Sequence, residues 1–224
     1  TWTSSRDTTL GMHFTGVSYY DGQAFMVASD LNVQSAKELD GAAVCTQSGT
    51  TSELNLSDYF RVHGMTYDAV VFDSPEQSIA GFEAGRCDVL SSDASQLYAQ
   101  RMQLADPDMA VVLPEIISKE PLGPAVRQGD DQWFNIVKWT LFAMLNAEEL
   151  EVSQANVDEQ LDSDDPDVQR LLGQDGDFGS PMGISADWAY QVVKQVGNYA
   201  DVYDRNVGTE SDFNIARGLN GLWN

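Results

Sequence analysis

The stretch "CTQSGTTSELNLSDYF", Cys45 to Phe60, sets a glycine and a group of hydroxyl residues between an apolar run and an amphipathic one. Upstream, "AAVCTQ" reads as a buried strand. Downstream, "TTSELNLSDYFRVHG" predicts a helix with Leu56, Tyr59, Phe60 and His63 on one side and Gly64 as its stop. The same strand-turn-helix signature recurs along the chain. "TYDAVVF" is a strand, followed by a helix over "SPEQSIAGFEAG" with Ser74 at the N-cap, Pro75 at the first helical position, Gln77 completing a capping box and Gly85 as the stop. "CDVLSS" is a third strand, a third helix opens at Asp93, and "MAVVL" is a fourth strand. Before all of these, Ser35 and Glu38 predict a short capped helix that Gly41 ends.

Strands spaced by helices of this length predict an α/β fold with a parallel sheet covered on both faces, and ligands gathering beyond the carboxyl ends of the strands. The "QSGTT" turn and the "SSD" ending in Asp93 then face the same crevice. From about residue 118 the texture changes. "ISKEPLGPAVRQG" reads as extended, then come an apolar helix over "DQWFNIVKWTLFAMLNAEEL", a helix in "DPDVQRLLG" and one long helix over "SADWAYQVVKQVGNYADVYDRN". In the last, Trp188, Val192, Val196 and Tyr199 form a stripe expected to pack in the core.

With 35 acidic against 12 basic residues, the formal charge is −23. Such a chain repels phosphate backbones and anionic lipid, so nucleic acid is not an expected partner. No run of about 18 apolar residues occurs, and no helical membrane span is predicted. His13 and His63 lie far apart, and "DSDDPD" lacks the spacing and glycine of a calcium loop, so no metal site and no cofactor are predicted. For Cys45 and Cys87 two readings stay open from the residues alone. One is a bridge closing a loop of about 43 residues and contributing roughly 4 kcal/mol; the other is a pair of buried reduced thiols.

A glycine turn entering a helix exposes backbone N–H groups at the positive end of the helix dipole, which suits a small carboxylate. It lacks the lysine of a nucleotide P-loop. The same Ser and Thr residues also serve as ordinary helix caps, and Asp93 reads equally as a cap or as an acceptor for an ammonium group. Arg6, in "TSSRD", offers a planar fork for a carboxylate. Together the three supply what a zwitterion needs.

The segments "TWTSSRDTTLGMHFTGVSYYDGQAFMV", "VCTQSGTTSELNLSDYF", "FEAGRCDVLSSDASQLYAQR", "GPAVRQGDDQWFNIVKWTLFAMLNAEELEV" and "ISADWAYQVVKQVGNYADVYDRNVG" resemble the solute-binding proteins of polar amino-acid ABC transporters, most of all the general L-amino-acid-binding subgroup. The resemblance implies a type II periplasmic-binding-protein fold with two lobes, lobe one from residues 1–26 and 119–224 and lobe two from 27–118. It implies a periplasmic protein without enzymatic activity that binds free L-amino acids and hands them to a permease. It assigns carboxylate binding to Arg6, a lobe-one hydroxyl or backbone contact to Thr1, and the glycine-turn contact to Thr51, with Thr50 beside it and Gln47 lining the approach. It assigns the ammonium group to Asp93 and joins Cys45 to Cys87 as a disulfide. Members of the family carry a further segment before "TWTSSRD". An incomplete lobe one is therefore expected, in a chain cut from a longer one or completed by another polypeptide, with a homodimer as one form of completion. Two other functions remain open at this stage: a truncated partner-binding or self-assembling module, and a lyase or dehydratase on the same scaffold.

Overall fold

The computed structural model describes residues 2–222. Among these the chain forms, in order, α1 (Ser4–Thr9), β1 (Met12–Phe14), β2 (Tyr19–Asp21), β3 (Gln23–Ala28), β4 (Ala42–Gln47), α2 (Thr51–Val62), β5 (Tyr67–Phe72), α3 (Pro75–Glu83) and β6 (Val89–Asp93). It continues through α4 (Ala94–Arg101), β7 (Ala110–Val112), β8 (Glu120–Leu122), β9 (Ala125–Arg127), α5 (Asp131–Glu149), α6 (Pro166–Leu171), α7 (Trp188–Val196) and α8 (Tyr199–Asn206). Two compact units result: unit 1 from Thr1–Tyr20 with Pro121–Asn224, and unit 2 from Asp21–Glu120.

Unit 2 is a five-stranded sheet in the order β5-β4-β6-β3-β7. β4 runs parallel to β5 and to β6, but β3 is antiparallel to both β6 and β7. The sheet is therefore mixed, not all-parallel as the alternation of strands and helices predicts. The crossover through α4 leaves a gap one strand wide between β6 and β7, and β3 fills it from the opposite direction. Residues 21–26, read from the sequence as the end of lobe one, thus enter unit 2. Phe25 and Met26 are fully buried there.

Both faces of β3 are covered, which is why "QAFMVA" is apolar with little alternation. Phe25 and Val27 pack with Val44, Leu56, Phe60 and Val89 under α2. Ala24 and Met26 pack on the opposite face with Leu90, Ile79, Phe82 and Leu97 from β6, α3 and α4. The start of α3 lies where the sequence places it. Ser74 caps α3 by accepting from the Gln77 N–H at 3.3 Å, while Gln77 Oε1 reaches one residue beyond the cap, accepting from the Asp73 N–H. The predicted helix after Ser35 is a single 3₁₀ turn, Ala36–Glu38.

Cys45 and Cys87 form a disulfide with Cα atoms 5.7 Å apart, tying β4 to the turn before β6. Of the two readings left open by the residues, the bridge is the one observed.

Unit 1 pairs β1 with β9 antiparallel, His13 opposite Val126. Its helical core gathers Ala147, Val152, Val157, Val168, Leu172 and Val193, with Leu141, Tyr199 and Tyr203 in a second cluster. The single long helix expected over 185–206 is two. Gly197, at φ +90°, breaks it, and Asn198 restarts it in a capping box with Asp201. The stripe shifts accordingly: α7 buries Ala189 and Val193, and Val196 is exposed. Arg217 pairs with Glu148 at 2.8 Å and lies over the rings of Tyr199 and Tyr203.

A disulfide constrains the unfolded chain by closing a loop, so replacing both cysteines by alanine should lower the stability of unit 2 by about 4 kcal/mol at most. Urea unfolding of the double variant checks this. Identical midpoints with and without the bridge would show that it adds nothing.

Candidate functional site

The carboxyl ends of β4 and β6 lie at one edge of the unit 2 sheet, since the two strands are parallel neighbours. β3, running the other way, brings its amino end to the same edge, and its Gln23 pairs with Asp93. Gln47, Thr50, Thr51 and Asp93 therefore gather there. Arg6 belongs to unit 1, on the exposed side of α1, whose N-cap Thr3 accepts from the Arg6 N–H at 3.2 Å. Thr1 lies outside the described residues.

At the turn after β4, Gly49 adopts φ +67°, which a side chain would resist, and the chain swings into α2. Thr50 is the N-cap. Its hydroxyl donates to the Gln47 carbonyl at 2.8 Å and accepts from the Glu53 N–H at 3.4 Å. Glu53 reaches back so that its carboxylate accepts from the Gly49 N–H at 3.0 Å. Thr50 is thus engaged in capping, and Glu53 already supplies one anion to the turn. Thr51, the first residue of α2, is exposed at this helix end. Gln47 spans to the neighbouring strand, its amide donating to the Asp73 carbonyl at 3.3 Å.

Asp93 stands at the N-cap position of α4, yet its side chain makes no capping hydrogen bond. Partial burial, then the negative charges of Asp21 and Glu120, raise its pKa from 3.8 to about 6. Both neighbours are buried, and both come from the passages into and out of unit 2. Sequence reading passed over them, although "YYDGQ" places an acid and a glycine just before an apolar strand. Gln23, fully buried, donates to the Ser52 carbonyl and the Ser91 hydroxyl, both at 2.9 Å, and so ties β3 to the start of α2 and to β6. The edge combines a helix amino end with three clustered carboxylates. It is suited to a small ligand carrying both signs of charge.

A groove of about 620 Å³ lies elsewhere, within unit 1, walled by Trp139, Phe178, Met182 and Trp188. Its wall is mostly apolar, with Asn146, Glu149, Asp167 and Arg170 also lining it. Among the described residues no group of His, Cys, Asp and Glu is placed to hold a metal ion, and no helix is long and apolar enough to cross a membrane.

A mixed α/β unit with a polar edge at the carboxyl ends of its strands defines a ligand-receiving domain of the binding-protein class. Over its whole length the chain is 57% identical to the general L-amino acid-binding periplasmic protein AapJ of Rhizobium johnstonii, covering 66% of that protein. It is 56% identical, with the same coverage, to the putative amino-acid ABC transporter-binding protein YhdW of Escherichia coli K12. A solved ABC-transporter periplasmic binding protein of Brucella ovis, with glutathione bound, superposes with a TM-score of 0.92 at 51% identity, covering all of this chain and 71% of that one. No protein-family model matches. The chain belongs to the amino-acid-binding proteins of ABC transporters and has their type II periplasmic-binding-protein fold. It spans just under two thirds of the length of these curated relatives.

An aspartate whose pKa is raised on folding binds its proton more tightly in the folded state. It therefore adds stability below pH 4, and that stability is lost as pH rises through about 6. Discounted for solvent screening, the effect is about 1 kcal/mol. Asp93→Asn should raise the thermal midpoint of the ligand-free chain at pH 7 and flatten its dependence between pH 4 and 6. A pH series of unfolding curves measures this; superimposable wild-type and variant profiles would contradict the assigned environment of Asp93.

Proposed function

We propose that the chain binds free L-amino acids by their shared head group, as the solute-receiving part of a periplasmic protein that delivers them to an ABC transporter permease. Asp93 accepts the α-ammonium group. Arg6, Thr1 and the amino end of α2, with Thr51 foremost and Thr50 and Gln47 shaping the turn, take the α-carboxylate. The observation that carries this reading is the placement of Asp93 at the carboxyl end of β6, its side chain unused by α4 and set beside the charges of Asp21 and Glu120. A carboxylate held against two like charges gains more from an incoming ammonium than one already paired.

The ligands named for the relatives have this chemistry in common. AapJ is described as general for L-amino acids, and the Brucella ovis protein holds glutathione, whose γ-glutamyl end carries a free α-amino and α-carboxylate group. Recognition confined to the head group accounts for both. Two lobes contacting one ligand would close on it, because a ligand shifts such an equilibrium only by its differential contacts with the two states.

A second reading, a module that completes itself with another copy of the chain, is favoured by the exposed aromatics Trp139 and Phe178 at the unit 1 groove. Light scattering separates the two, since the first reading needs no second copy.

Thermal unfolding with a panel of L-amino acids tests the main proposal. Each bound amino acid should stabilise the chain by about 2.7 kcal/mol at a hundredfold excess over its dissociation constant. No shift with any of them would overturn it. Calorimetry should find that Asp93→Ala abolishes binding with the fold intact and that Arg6→Ala weakens it about tenfold or more. Unchanged affinity in the Asp93 variant would refute the ammonium assignment.

A further inference from the structure

Asp93 occupies the N-cap position of α4 with extended backbone, φ −56° and ψ 138°, where an aspartate ordinarily turns its side chain onto its own helix. It does not. The amino end of α4 is served instead by the end of β2 and the residue after it. The Ser95 hydroxyl donates to Asp21 Oδ2, the Ser95 N–H donates to Asp21 Oδ1 at 3.4 Å, and the Ala94 N–H donates to the Gly22 carbonyl at 2.8 Å. Asp21 Oδ1 also accepts from the Gly22 N–H at 2.8 Å, which fixes the carboxylate relative to its own backbone.

The close seating of this corner depends on Gly22. A Cβ there would fall 2.3 Å from Ile116 Cγ2 and 2.4 Å from the Ser118 carbonyl oxygen. One register step on, Gln23 opens the β3–β6 ladder opposite Asp93, and Asp21, the last residue of β2, lies two residues before it at the mouth of α4.

We propose that Asp21 is a positioning residue: by capping α4 from the end of β2 it keeps the Asp93 carboxylate out of the helix's own hydrogen bonding and directed to the ligand. This rests on the assignment of Asp93 as the ammonium acceptor. Two effects follow from one side chain. Asp21 takes the Ser95 N–H, a helix donor that would otherwise recruit Asp93, and its charge, held close by, adds to the proton affinity of Asp93.

The two effects separate by substitution. Asp21→Asn keeps an acceptor oxygen for Ser95 and removes the charge; Asp21→Ala removes both. Carbon NMR of the Asp93 carboxyl in the ligand-free chain should find a titration midpoint near pH 6 in the wild type. The midpoint should move toward the ordinary aspartate range in Asp21→Asn and further in Asp21→Ala, where Asp93 is free to cap α4. Calorimetry with L-glutamine should give an affinity loss of about tenfold or more for Asp21→Ala, partly restored in Asp21→Asn. In Asp21→Asn the pH at which affinity falls should move down together with the NMR midpoint. An unmoved Asp93 titration in both variants, or wild-type affinity in Asp21→Ala, would overturn the proposal. If the wild type does not bind L-glutamine, or Asp93→Ala binds it as the wild type does, the ammonium assignment fails instead, and the NMR titration still decides the role of Asp21.

Discussion

The pairing of β3 between β6 and β7 is the constraint on which unit 2 depends. Without an antiparallel strand in that slot, β7 would have no neighbour connecting it to the sheet, and Phe25, Met26 and Val27, all nearly or fully buried, would lack their place in the two cores. The register of that pairing has a chemical outcome as well. With Val27 opposite Val89 and Gln23 opposite Asp93, the amino end of β3 arrives at the edge where β4 and β6 end. A slip of one residue would turn the apolar set onto the wrong faces and carry Asp21 away from α4. Packing and electrostatics are fixed by one ladder.

What the ladder assembles is costly to the ligand-free fold. Asp21 and Glu120 are buried, Asp93 is partly so, and like charges brought together raise the free energy of the ionised state. The hydrogen bonds from Ser95 and Gly22 to Asp21 offset part of this cost, as does the one from the Ser118 hydroxyl to Glu120 at 3.3 Å. On the proposed assignment of Asp93, the remainder is what an incoming ammonium group would relieve. A binding site retains such a cost because stability lost in the empty state becomes interaction energy with the ligand.

Much of this was readable from sequence because its causes are local. Ser74 with Pro75, and Gly49 before Thr50, act within a few residues, and each sits at a helix start as read. The reversed strand was not readable: "QAFMVA" has the composition of a buried strand in either direction, and its direction is decided by which slot the crossover through α4 leaves open. The break at Gly197 was concealed by apolar residues continuing at helical spacing on both sides of it. The site divided in the same way. Asp93 was legible as a residue at a strand-helix junction, whereas Asp21 and Glu120 join it only through pairings that span the whole unit. The families of Thr50 and Glu53 contacts show the converse, a turn so local that its hydroxyl is spent on the helix rather than kept for a ligand.

In a chain with a formal charge of −23, the sign of a side chain identifies nothing. Position before a helix is no better guide. Asp106, Asp130 and Asp165 all precede helical turns, and each accepts from an N–H of its own turn. Asp158 and Asp187 precede helical turns without capping them, but their carboxylates are taken up elsewhere, by Lys194 with Tyr190 and by Gln191 respectively. Asp93 differs from all five. Its helix is capped by another residue, and two of the charges nearest it share its own sign. The criterion that separates a binding carboxylate from a structural one is therefore relational: whether the fold has already supplied what the group would otherwise seek. Here the helix end goes to Asp21, and Asp93 is left without a capping role beside two charges of its own sign.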